Sequence, residues 1–247
     1  MYKPDREEYD YIKGSATITY ILLVTTGVII FIEALRSSDA NNRGESGFIS
    51  HVMNLETAIS VIATYFYSLF LKEFSDAEEN NTPIDWEKVT KYRYIDWSIT
   101  TPIMLLVLCL YLANNIKSSV KIGFFMLVVA LNYIMLAFGY LGETGQMDKN
   151  SSLLGGFAAF GLIYALIYNN YMRKYSFANS ALFWFYAIVW SFYGIVFYFD
   201  SGYKNTALNI LDVISKCFVG LGLWACLLYT SDAADEGLGV DLGGRRI

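Results

Sequence analysis

Asp212 and Lys216 stand four residues apart inside the apolar run LNILDVISKCFVGLGLW. On a helix that spacing puts both on one face, the lysine a turn further along. A second apolar run, YRYIDWSITTPIML, places Arg93, Asp96, Trp97 and Thr100 at i, i+3, i+4 and i+7, again one face. Charges inside a membrane-length segment are costly and mark function. A lone buried lysine tends to lose its proton, and two carboxylates beside it favour the charged form. Arg93, one turn away, would help keep both carboxylates ionised. A desolvated lysine is also the residue that condenses with a carbonyl compound to a Schiff base. Trp97, Trp190 and Tyr193 could wall a slot for a long apolar ligand; taken alone, such aromatics are ordinary core packing. The bland alternative for the charges is an ion-pair network tying two helices together, although such networks stabilise poorly compared with apolar packing.

The elements that must carry these residues are membrane helices. The chain has 247 residues, 55% hydrophobic, 17% aromatic and only 17% charged, with a mean hydropathy of +0.38. Stretches 14–32, 97–116, 122–142, 150–172 and 175–199 contain no Asp, Glu, Lys or Arg. Each is about the 20 residues that span a bilayer as a helix. Segments 47–71 and 205–231 are also apolar but hold isolated charges. The expectation is an all-α membrane protein, a seven-transmembrane-helix bundle in the lipid bilayer. A net charge of -5 argues against nucleic acid as a partner. The connection 72–88 is acidic, whereas 114–121 and 169–175 are basic. Positive loops stay in the cytoplasm, so the N-terminus is expected outside and the C-terminus inside. Cys109 and Cys217 fall within predicted spans, as small apolar packers rather than a disulfide. His51 is the single histidine and lacks Cys or His partners, so no metal site is expected. No nucleophile–base pair or phosphate loop suggests an enzyme.

The end of the chain reads differently. CLLYTSDAADE (226–236) and GVDLGGRRI (239–247) resemble translated transposon and adapter DNA of a sequencing library. The expected division is a seven-helix domain over 1–225 and a non-native tail over 226–247.

Arg-x-x-Asp-Trp-x-x-Thr-Thr-Pro from Arg93, Trp-x-x-Tyr from Trp190 and Asp-x-x-x-Lys from Asp212 together resemble the microbial rhodopsins. The resemblance covers all seven spans. It implies all-trans retinal bound covalently to Lys216 as a protonated Schiff base. Asp96 would be the primary counterion and proton acceptor, Asp212 the second counterion. Arg93 and Thr100 would support them, with Thr100 hydrogen-bonding near Asp96. Trp97, Thr101, Met104, Trp190 and Tyr193 would form the retinal pocket, Tyr193 bonding toward Asp212. Gly194 departs from the family, where many members have proline after that tyrosine.

Function within the family is commonly read at three positions, here Asp96, Thr100 and Val107. Efficient outward proton pumps usually place a carboxylate at the last, and valine cannot carry a proton. Two other acids lie in predicted spans: Glu33 in VIIFIEALR and Glu56 in MNLETAISVIATYFYS. Glu33 could simply reach the interface beside Arg36; Glu56 lies deeper. These helix 1 and helix 2 phrases look most like rhodopsins of large algal viruses, in the group with channel members. The resemblance then implies a light-gated cation channel, with Glu56 and Glu33 lining the cytoplasmic half of its path. The alternatives are a light-driven outward proton pump with slow reprotonation, and a photosensor coupled to a membrane transducer. The partners implied are small cations or protons, with a homo-oligomer left open. The setting would be a plasma membrane or another host-cell membrane.

Overall fold

The computed structural model describes residues 6–37, 45–174, 176–199 and 201–227; the side chains of 45, 46, 201 and 202 are outside the description. Seven helices follow one another: α1 (Arg6–Ser37), α2 (Glu45–Glu79), α3 (Trp86–Asn115), α4 (Ile122–Glu143), α5 (Lys149–Tyr171), α6 (Phe177–Val196) and α7 (Ser201–Asp212). The last passes directly into a π-helical stretch, Val213–Phe218, and then continues as α-helix to residue 227. Among the described residues, six helices are long and apolar enough to cross a bilayer. The seventh, α2, carries His51, Asn54 and Glu56 along its first half.

The helix starts have identifiable causes. Asp85, Asp148 and Ser176 cap α3, α5 and α6 by accepting hydrogen bonds from the backbone N–H groups of Lys88, Ser151 and Asn179. Between α4 and α5 the chain turns at Gly145, whose φ of +69° is easily reached only without a side chain.

Sequence neighbours pack side by side, and α7 returns to α1, closing a ring. Helix α3 buries Arg93, Asp96, Trp97, Thr100, Thr101, Met104 and Val107 along one stripe. The outer faces stay apolar, with Ile18, Val61, Ile122 and Leu154 exposed. That is what a lipid-facing surface requires, and it is why these helices show little amphipathicity by sequence. Cys109 and Cys217 are both buried and unbridged.

Two boundaries differ from expectation. The acidic connection expected over 72–88 is mostly helix: α2 runs on to Glu79, and α3 begins at Trp86. Helix α1 likewise starts at Arg6, within the polar segment before the apolar run. The ion pairs Lys13–Glu78 and Lys88–Glu73 (2.5 Å), with the Tyr9 hydroxyl donating to the Phe74 carbonyl (3.0 Å), hold these polar turns together. The tail expected to be non-native lies outside the described residues from position 228 onward.

Candidate functional site

Lys216 ends in the middle of the bundle. Its Nζ is 2.7 Å from Asp96 Oδ2 and 3.5 Å from Asp212 Oδ2. All three side chains are buried. The π-helical turn lies around the lysine, so the relation of Asp212 to Lys216 is not that of a regular α-helix. The sequence spacing brought the two together but gave no sign of the wider turn.

The two carboxylates are held differently. Asp212 accepts hydrogen bonds from Tyr67 (2.9 Å), Tyr193 (2.8 Å) and the Trp97 indole (3.4 Å). Asp96 receives only Lys216 on Oδ2, and its Oδ1 has no hydrogen-bond partner among the described residues. Thr100, expected to bond near Asp96, donates to the Asp96 backbone carbonyl (2.9 Å). That bond is the usual i−4 contact of a helical threonine, so it does not tie down the carboxylate.

Arg93 stands beside the pair, as an ion-pair neighbour of Asp212. Its Nη1 is 3.8 Å from Asp212, beyond hydrogen-bond range. Its Nη2 donates instead to the amide oxygen of Asn209 at 3.0 Å. Phe70 lies under the guanidinium, 4.9 Å from ring centroid to Cζ, a cation–π arrangement.

Beside Lys216 lies a mostly apolar cavity, whose lining includes Trp97, Thr101, Met104, Trp190, Tyr193 and Lys216. Apolar and aromatic walls with a few convergent polar groups are the character of a site for a small apolar ligand. Every residue expected to form the pocket is therefore at its wall. Asn132 on α4 donates to Thr101 (2.8 Å) from a fully buried position. The departure at Gly194 has a local use. A Cβ there would come within 2.6 Å of the Phe157 ring, which also lines the cavity.

Glu56 and Glu33 do not join this cluster. Glu56 is 2% exposed, and its Oε2 lies 3.0 Å from where a Cβ on Gly220 would be. Gly220 thus lets the carboxyl pack directly on the last helix, one turn past Lys216. Glu56 Oε1 and the nearby hydroxyls of Ser60 and Tyr186 have no hydrogen-bond partner among the described residues. Glu33 is paired with Arg36 at 3.7 Å and accepts from Ser37 at 3.2 Å. Val107 is fully buried among apolar neighbours.

Tyr67, Asn132, Ser215 and Asn209 were not singled out by sequence. Asn209 carried the one available signal, a polar residue three positions before Asp212 inside an apolar run.

Residues 12–230 match the family described as bacteriorhodopsin-like protein. A green-light absorbing proteorhodopsin of Gamma-proteobacterium EBAC31A08 is 26% identical over 165 residues, 59% of this chain. The chain spans 64% of the length of that relative. The crystal structure of the viral rhodopsin OLPVRII is 38% identical, covering 89% of this chain and 98% of its own, with a TM-score of 0.77. A thermophilic rhodopsin is 19% identical, covers 96% of this chain and 99% of its own, and superposes with a TM-score of 0.74, a likeness of fold.

Proposed function

The chain belongs to the bacteriorhodopsin-like family as a type 1 microbial rhodopsin resembling the viral rhodopsins, a multi-pass membrane protein, and from that premise we propose that it is a retinal-binding, light-gated cation channel. The residues present suit all-trans retinal: a buried lysine at the end of an aromatic-walled cavity, with two carboxylates at its nitrogen. When bound to Lys216, retinal would supply visible absorption and a light-driven change of shape beside that nitrogen. Trp97, Trp190, Met104 and Thr101 hold the ligand and exclude water. Asp96 accepts a proton from the Lys216 nitrogen, for which its 2.7 Å contact is already the required geometry. Asp212, satisfied by two tyrosines and a tryptophan, stays in place as fixed negative charge.

The observation that carries the channel reading is the pairing of Val107 with Glu56. Valine at position 107 offers no group to return a proton from the cytoplasmic side. Glu56 places a buried carboxyl, one oxygen of which has no hydrogen-bond partner among the described residues, on the same side of Lys216, where loop charge puts the cytoplasm. A carboxylate lining a narrow path replaces part of the hydration shell of a cation passing it. Glu33, already paired with Arg36, sits nearer the interface, as an entrance group. The second reading, an outward proton pump with slow reprotonation, is favoured by the close Lys216–Asp96 contact. Patch-clamp of the retinal-reconstituted protein separates the two. A photocurrent that reverses sign with voltage supports the channel. A current of constant sign overturns it in favour of the pump.

A further inference from the structure

Asn209 is 1% exposed and bonded through every polar atom of its side chain. Its Oδ1 accepts from Arg93 Nη2 (3.0 Å) and lies 3.1 Å from the Tyr67 hydroxyl. Its Nδ2 donates to Ser15 Oγ (3.0 Å). On the same residue, the backbone carbonyl lies 3.2 Å from the Thr19 hydroxyl, whose shorter contact is the Ser15 carbonyl at 2.8 Å. Four helices, α1, α2, α3 and α7, therefore meet at one amide.

We propose that Asn209 is a positioning residue that sets how far the Arg93 charge stands from the two carboxylates beside Lys216. A buried guanidinium seeks an anionic acceptor. Here Asp212 is within reach yet remains at 3.8 Å, because the closest directional bond is made to a neutral amide oxygen. Ser15 fixes which way that amide faces: its hydroxyl already donates to the Ile12 carbonyl (3.0 Å) and is left as the acceptor for Nδ2. The oxygen must then point at Arg93 and Tyr67. Tyr67 has one proton to donate, and the shorter contact is with Asp212. Arg93 is thus the donor that Asn209 chiefly controls. The arginine is drawn toward the face where α1 and α3 begin, and α1 takes part through Ser15. Rearrangement of this amide would move a full charge without moving a helix.

The inference rests on the retinal pigment but holds for a channel and a pump alike. The test is the pH of the acid-induced colour change. The groups facing the titrating pair among the described residues are Arg93 and Asp96 from α3, Tyr67 from α2, Tyr193 from α6, and Asp212 and Lys216 from the last helix; from α1 come the neutral Ser15 and Thr19. Asn209→Leu removes the neutral acceptor, so Arg93 closes on Asp212, favours ionised carboxylates, and lowers the midpoint by about half a pH unit. Asn209→Asp adds an anion on the far side of Arg93, draws it away, and raises the midpoint by a similar amount. Ser15→Ala, which frees the amide to turn, shifts the midpoint in the direction of Asn209→Leu but less. Opposite displacements from Leu and Asp are the expected result. Equal midpoints in wild type and Asn209→Asp, or shifts of one sign from both variants, overturn the proposal and leave Asn209 a packing residue. Wild-type colour reads the pigment and the displacement between variants reads the amide, so the two can fail separately.

Discussion

Replacing Asp96 by Asn keeps the shape of the side chain and an oxygen for the Lys216 nitrogen, and deletes one charge. The two carboxylates contribute unequally to that nitrogen. At 2.7 Å and an effective dielectric of about 20, Asp96 attracts a positive charge by about 6 kcal/mol. Asp212, at 3.5 Å, contributes about 5 kcal/mol by the same estimate. Three hydrogen bonds draw on the Asp212 charge, whereas Asp96 Oδ1 has no hydrogen-bond partner among the described residues. Asp96 is therefore the stronger partner, chiefly by distance. Its loss should make the pigment give up its proton about 4 pH units lower in an alkaline titration. Where the nitrogen stays protonated, the visible band should lie to the red of wild type. Visible spectra from pH 4 to pH 10, taken on detergent-solubilised pigment, measure both. An unchanged band and titration midpoint in Asp96→Asn, with the large displacement appearing in Asp212→Asn instead, would refute the assignment.

Lys216→Ala should bind no retinal covalently and show no visible band; a normal pigment in that variant would remove the basis of the functional reading. Met104 presents an apolar, polarizable side chain to the cavity, so the dark pigment should absorb in the green and Met104→Gln should move it toward the blue. A wild-type maximum in the blue contradicts this. Glu56→Gln should reduce passive photocurrent or alter cation selectivity with the spectrum nearly unchanged, because Glu56 lies apart from the Lys216 cluster. Unaltered conductance and selectivity would count against the channel path. Outside the membrane, the N–H of Ser151 holds the Asp148 carboxyl below its ordinary range, so its cap stabilises α5 above that range and is lost as pH falls through the lowered value. Asp148→Ala should remove that part of the acid dependence of thermal unfolding, and an identical pH profile in the variant would show the cap to be inert.

The architecture was legible because bilayer hydrocarbon imposes a length and forbids charge, so five charge-free runs and two interrupted ones mark seven helices. What the sequence could not show was where polar turns end. Helix α2 extends to Glu79 through residues that read as an acidic loop, because Lys13 and Lys88 come from elsewhere in the chain to pair with them. Such pairing is tertiary, and no periodicity within 72–79 reports it. The π-helical turn at Val213–Phe218 was equally silent. Its one extra residue per turn changes where Lys216 points relative to Asp212, while the four-residue spacing in the sequence stays the same.

The site shows the same division at finer grain. Lys216, Asp96 and Asp212 were readable because an ionised group inside an apolar run is rare and must find a partner. Neutral polar residues carry no such demand in sequence: Asn132, Asn209 and Tyr67 could each have faced a neighbouring helix for packing alone. Only the fold reveals that Asn209 stands where polar groups of α1, α2 and α3 converge. A neutral amide there can do what another carboxylate could not. It holds Arg93 at a distance without adding charge to a site that already has two anions and two cations. The charged residues define that electrostatic balance, and the uncharged ones determine where in space it is struck.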